Sequence, residues 1–98
     1  MTISSLTTET IAEYLRIAPE TLTTSDIKMI EALKQSAISF ITSYTGRQYV
    51  ELLPHEDITF AALILISDGW DNRRLYIDSN NVNKIVSDIL GMYSVNLL

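Results

Sequence analysis

The chain's only histidine stands beside two carboxylates, and this triplet is the first place to look for metal binding or acid–base chemistry. His55, Glu56 and Asp57 are consecutive, and consecutive side chains on a helix point about 100° apart. Three such side chains cannot converge on one ion. Acidic residues at this spacing are typical of an exposed helix N-terminus, where they interact favourably with the helix dipole. We therefore expect neither a metal site nor a catalytic base here.

Other catalytic motifs are missing from the sequence as well. The chain has no cysteine, which excludes thiolate nucleophiles, disulfides and Cys-ligated zinc. Its three glycines stand singly, without a glycine-rich phosphate loop or a Gly-x-Ser-x-Gly turn. Asp68 and Asp71 would share a helix face, but this spacing is more typical of a solvated helix end than of a catalytic pair. The sequence predicts no enzyme, no cofactor and no metal.

Segment 68–74 contains the chain's only tryptophan and its only adjacent pair of basic residues. Trp, Tyr and Arg are the residue types that most often anchor protein interfaces. Trp70 could pack in the core or contact another subunit, and both roles are compatible in an interlocked ring. Asp71 and Arg74 could pair at i,i+3 on a solvated surface. The sequence leaves these alternatives open.

Four helices are predicted to position these residues: 8–17, 25–45, 54–72 and 82–93. Thr7 or Thr8 can cap the first helix, and Pro19 prevents it from continuing. Residues 24–26 supply the start signal of the second helix, and Gly46 supplies a left-handed stop. Asn80 or Asn81 can cap the fourth. Residues 47–53 are predicted to be a short loop or strand-like stretch, and residues 73–81 a second, more polar connection.

The apolar patterns distinguish the helices from one another. The second helix has one stripe at spacings of three and four, and the fourth has another, formed by Val82, Ile85, Val86, Ile89, Leu90 and Tyr93. Residues 58–66 are apolar on nearly all sides; a buried strand is the alternative, but the length and the acidic start favour helix. Because the remaining helices offer limited cover, we expect a neighbouring subunit to cover this helix, and the apolar tail 94–98 to dock on a surface.

Composition limits the class of protein. The 98 residues allow one domain, 1–98, with a net charge of −5 and 47% hydrophobic residues, which excludes collagen, a disordered tail and a disulfide scaffold. Seven basic residues, scattered singly apart from Arg73 and Arg74, cannot support tight nucleic-acid binding by charge. The longest apolar run, 60–66, is far shorter than the roughly 20 residues that span a bilayer.

We expect an all-α bundle that is made in a cytoplasm without a signal peptide. Its mean hydropathy of +0.17 is high for so small a chain and favours self-association.

Three stretches in register resemble a known family: IAEYLRI at 11–17, AISFITSYTGR at 37–47 and AALILISDGWDNR at 61–73. Their order and spacing resemble those of the small head–tail connector proteins of tailed bacteriophages, a group also described as DNA-packaging proteins. The match covers residues 8–98. It departs from many relatives just before the long helix, where an acidic stretch is reduced here to Glu20 and Asp26.

The resemblance implies an all-α fold of about four helices and a ring of about twelve copies at the head–tail junction of the virion. It implies as partners the portal protein and the next connector or tail-completion protein, with DNA passing through the ring without specific binding. An acidic lumen would let DNA slide, because like charges offer no pairing sites along the path.

A structural virion protein, a head-completion adaptor that extends the DNA channel, is therefore the function expected. Its expected contact residues are Tyr14, Arg16, Arg47, Trp70, Arg73 and Tyr76. The alternative is a small all-α partner-binding or regulatory domain that acts as a dimer.

Overall fold

The structure, a computed structural model, describes residues 2–72 and 83–94, and within them the chain is helical without any strand. The helices are α1 (Thr8–Tyr14), α2 (Thr24–Thr45), α3 (Tyr49–Leu52), α4 (Glu56–Asn72) and α5 (Lys84–Tyr93), and two 3-10 turns occupy Ile3–Ser5 and Pro19–Thr21. The predicted all-α class is confirmed. None of the helices in the described part of the chain is long and apolar enough to cross a membrane.

The long helix α2 begins and ends where local chemistry dictates. Thr23 and Asp26 form a capping box, in which each backbone N–H donates to the other residue's side-chain oxygen at 3.1 Å. Gly46 ends the helix in the left-handed region, with φ of 69°, and its N–H donates to the Thr42 carbonyl. The predicted stop is confirmed, and the start lies one residue earlier than predicted.

Helix α1 ends at Tyr14, three residues before its predicted end. Arg16 adopts a left-handed conformation, with φ of 62°. Its N–H donates to the Glu13 carbonyl, and the N–H of Ile17 donates to the Ala12 carbonyl. These two bonds form a Schellman motif, which usually places glycine at the left-handed position. An arginine there gives no glycine signal, so the sequence pattern placed the helix end at Ile17, just before Pro19, instead.

Two other local predictions are wrong. Residues 47–53 are not strand-like, because Tyr49–Leu52 forms α3, whose turn buries Leu52 and whose backbone N–H at Gln48 donates to Glu51 Oε1. The cap of α5 is Asn83 rather than Asn80 or Asn81: its Oδ1 accepts the Ile85 N–H at 2.8 Å. Residues 80–82 lie outside the described part of the chain.

Helix α4 lies at the centre of the fold. It packs against α2, against α5 and against the 3-10 turn Ile3–Ser5, and Ile58 and all six residues of 61–66 are buried. The expectation that a neighbouring subunit must cover this helix is therefore wrong for most of its surface. The sequence pattern gave no weight to the N-terminal segment, whose Ile3 and Leu6 are buried in the same core. Among the large apolar side chains described on α4, Phe60 is the exposed one, at 46%.

Replacing Arg16 by glycine should stabilise the fold. A non-glycine residue in the left-handed region costs about 1–2 kcal/mol, and part of this is offset by the greater unfolded-state entropy of glycine. We expect Arg16→Gly to raise the free energy of unfolding by roughly 0.5–1 kcal/mol, measured by urea denaturation. Arg16→Ala keeps the Cβ and serves as the control; an equal gain in both variants would contradict the strain assignment.

Candidate functional site

A cluster of polar side chains joins the end of α5 to the rest of the bundle. We call it the Tyr93 cluster: Arg47, Glu51, His55, Asp57 and Tyr93. Arg47 follows α2, Glu51 belongs to α3, His55 and Asp57 stand at the start of α4, and Tyr93 is the last residue of α5. Residues of one stretch, 47–57, thus converge on a tyrosine that is distant in sequence.

The hydrogen bonds of this cluster are centred on Tyr93. Its hydroxyl donates to the Asp57 carboxylate, at 2.7 Å from Oδ1 and 2.8 Å from Oδ2. Arg47 Nε donates to the Tyr93 backbone carbonyl, which has no partner within the helix because it lies in the last turn. The His55 ring lies against the Tyr93 ring, with the centroids 4.7 Å apart and the planes tilted by 52°. Tyr93 is therefore held through its hydroxyl, its ring and its carbonyl.

Arg47 and Glu51 form the outer part of the cluster. Arg47 Nη1 lies 3.5 Å from Glu51 Oε2, and both side chains are more than a third exposed. An exposed pair of this kind contributes little to stability. The carboxylate of Glu51 also accepts the N–H of Gln48, so it helps to fix the turn from which Arg47 reaches α5.

The Asp57 carboxylate controls the ionisation of Tyr93. The hydrogen bond to Asp57 raises the pKa of the Tyr93 hydroxyl above its ordinary value of 10.0, and burial and the negative charge of the same carboxylate raise it further. The tyrosine therefore stays a hydrogen-bond donor at neutral pH. The geometry is that of a structural clasp, which ties α5 to the start of α4 and to the end of α2.

Two grooves flank the N-terminal half of α2. The larger, of about 550 Å³, lies between α1 and α2; Leu6, Ile11 and Ile30 line it, together with the charged side chains Lys28, Glu31 and Lys34. Lys34 Nζ donates to the Leu6 carbonyl at 2.7 Å. The smaller, of about 300 Å³, also borders Lys34 and lies beside Ser4, Ile38 and Tyr49. The Tyr93 cluster lines neither groove.

The expected contact residues are found in different environments. Tyr14 and Arg16 are exposed at the end of α1, whereas Arg47 is half-buried and bonded within the chain. Trp70 is half-buried and packs against the core. This agrees with the prediction that Trp70 packs in the core, and its exposed part is compatible with a contact to another subunit. Arg73 and Tyr76 lie outside the described residues. No group of three His, Cys, Asp or Glu side chains within residues 2–72 and 83–94 could hold a metal ion.

Sequence reasoning missed the exposed apolar side chains of α5. Ile85 was assigned to the core stripe together with Val86 and Leu90, but Ile85 is 53% exposed while the other two are fully buried. Met92, two residues after Leu90, is 69% exposed. The signal was present, because an apolar arc that includes both Ile85 and Val86 is wider than one buried face needs.

Comparison of the chain with protein-family models, with curated proteins and with solved structures found no match.

Removing the Tyr93 hydroxyl should weaken the clasp and change the response to alkali. We expect Tyr93→Phe to lower the free energy of unfolding by about 1 kcal/mol near neutral pH, because a hydrogen bond to a charged group is lost. Because the pKa is higher in the folded chain, the wild-type fold holds more protons above pH 10, and its stability falls there as pH rises. Tyr93→Phe should lack this contribution.

Urea denaturation at about pH 8 and about pH 10.5 measures both effects. The exposed Tyr44 provides the matched control, since Tyr44→Phe removes a hydroxyl away from the cluster. If Tyr93→Phe and Tyr44→Phe lost stability equally, and with the same pH dependence, Tyr93 would not be the clasp.

Proposed function

We propose that the chain is a structural virion protein, a head-completion adaptor that assembles into a ring of about twelve copies between the portal and the tail and extends the DNA channel. The observation that carries the proposal is the set of large apolar side chains left exposed outside a completed core. Four of them are about half exposed or more: Val50, Phe60, Ile85 and Met92. Burying such side chains between copies favours assembly.

The resemblance to the connector family supports a function in the assembly of copies into a ring. The three matching stretches fall on α1 with its left-handed end, on the last part of α2 with its Gly46 stop, and on α4. Ile11, Ile41 and Ile66, one from each stretch, are buried in one core. The likeness therefore lies in residues that determine how these helices pack.

Charge is compatible with a channel through which DNA slides. With a net charge of −5, the chain as a whole repels phosphates rather than attracting them. Acidic groups facing the duplex would keep it moving, because they repel the backbone along the whole path. In this proposal the portal protein is the partner on one side of the ring, and the next connector or tail-completion protein is the partner on the other.

The mechanism is assembly rather than chemistry. Docking on the portal raises the local concentration of subunits, so weak contacts between copies become sufficient to close a ring. Because the apolar side chains of α4 are covered within the chain except at Phe60 and partly at Trp70, the apolar faces that meet between copies are mostly those of the outer elements, above all α5.

The second candidate is a partner-binding or regulatory domain that acts as a dimer. The short exposed face of α5 favours it, since two such faces can bury each other. The mass in solution separates the candidates: a particle of twice 11.0 kDa that ignores portal particles supports the dimer. A chain that forms rings on portal particles, visible by negative-stain microscopy, supports the connector.

Two substitutions test the predicted contact residues. We expect Trp70→Ala and Arg73→Ala to reduce ring formation about tenfold or more, measured by analytical ultracentrifugation, because aromatic and arginine anchors dominate interfaces. Helix content by circular dichroism should change much less. Tyr44→Phe serves as the control. Normal assembly of both variants would show that these residues are not the contacts.

A further inference from the structure

The outer side of α5 carries an apolar stripe that the chain leaves exposed. Ile85 and Met92 are 53% and 69% exposed, and the half-buried Ile89 lies between them. Their spacing of i, i+4, i+7 places all three on one side of the helix. We call these residues the α5 stripe. The neighbouring side of α5 holds Val86 and Leu90 in the core, and Ile89 packs partly against that core, whereas Ile85 and Met92 remain largely exposed.

Next to the stripe, α5 carries Lys84 and Asp88, an exposed ion pair whose members can pair with other charged groups instead. Lys84 Nζ lies 3.2 Å from Asp88 Oδ2, but the two side chains are 86% and 65% exposed. An ion pair so exposed is weak and is readily replaced by another. Lys84 also stands in the first turn of α5, where a cation is disfavoured by the helix dipole. A carboxylate from outside the chain would relieve this unfavourable position.

The groove between α1 and α2 carries charges of the complementary pattern. Lys28, Glu31 and Lys34 follow one another at intervals of three along α2 and line the groove beside Leu6, Ile11 and Ile30. In the described part of the chain none of the three forms an ion pair. Lys34 bonds to the Leu6 carbonyl instead. The groove thus presents a positive–negative–positive row of charges, beneath which Leu6, Ile11 and Ile30 are almost fully buried.

We propose that the α5 stripe of one copy docks in the α1–α2 groove of a second copy, with Lys84 opposite Glu31 and Asp88 opposite Lys28. This inference rests on the proposed function and identifies the surfaces that would build the ring. Because each copy has a net charge of −5, copies repel one another unless opposite charges face each other at the contact. The two proposed pairs meet this requirement.

The two surfaces lie too far apart for a chain to satisfy both by itself. Tyr93 is bonded to Arg47, just beyond the end of α2, whereas Lys28 precedes Thr45 by 17 residues, about 25 Å along the helix. Asp88 lies five residues, about 8 Å, before Tyr93. Different surfaces that fit each other form a head-to-tail contact, which generates rings or open chains rather than a closed pair.

A charge exchange tests the proposed pairs. We expect Glu31→Lys and Lys84→Glu each to weaken self-association at least tenfold, measured by sedimentation velocity over a range of concentrations, and the double variant to restore it. Lys84→Glu places an acid in the first turn of α5, where the dipole favours it, so a loss of assembly would not reflect unfolding. The exposed Glu20 provides the control for Glu31→Lys, since Glu20→Lys changes the net charge by the same amount and in the same direction. Failure of the double variant to restore association overturns the pairing.

Cysteine cross-linking tests the contact even where association is weak, and the natural chain has no cysteine to interfere. Lys28→Cys combined with Asp88→Cys should give a ladder of covalent multimers on oxidation, because within one chain the two positions exceed the reach of a disulfide. Lys28→Cys combined with Val50→Cys is the control, since Val50 is exposed on a different helix. A ladder of equal strength in both variants, or none in either, overturns the proposal.

The same variants separate this inference from the proposed function. Rings on portal particles without the Lys28–Asp88 cross-link would mean that the ring exists but uses other surfaces, which overturns the inference alone. The cross-link in a chain that ignores portal particles would support the surfaces and contradict the connector function.

Discussion

The burial of α4 is the constraint on which the rest of this structure depends. A helix that is apolar on nearly all sides must be covered on all sides, and a chain of 98 residues has few elements to do so. Here α2, α5 and the N-terminal turn share the task, and Ile3 and Leu6 complete the core. Since all of these elements are occupied with α4, each has an outer side that can serve other purposes.

Helix α5 shows this division most clearly. Within the described residues it contributes Val86 and Leu90 as fully buried side chains, and its last residue, which packs partly against the core, is also held by polar contacts from Arg47 and Asp57. The clasp fixes the rotation of a short helix that two side chains would hold loosely. That rotation in turn determines which of its apolar residues face the solvent.

A small protein that covers its most apolar helix and still exposes isoleucine and methionine has apolar surface to offer to a partner. The exposed apolar residues of α5 lie beside Lys84 and Asp88, which form only a weak, exposed ion pair with each other. The groove beside α2 is lined by Lys28 and Glu31, which form no ion pair in the described part of the chain. Self-association through unlike surfaces is consistent with the assembly expected of a connector.

The sequence alone determined the features that depend on neighbouring residues. The capping box of α2, the stop at Gly46 and the helical character of residues 58–66 follow from local hydrogen bonding and from periodicity, which act within a few residues. The prediction of an all-α fold with one long helix followed from the same signals. Arg47 was named in advance as a contact residue, but its partner within the chain was not.

Only the tertiary structure decided the features that depend on residues distant in the chain. The left-handed end of α1 at Arg16, the burial of Ile3 and Leu6 against α4, and the exposure of Ile85 beside the buried Val86 cannot be read from spacing. Asp57 reaches Tyr93 across 36 positions. An apolar pattern indicates that a helix face can be buried. Which face is actually buried depends on how the other helices fill the space around α4.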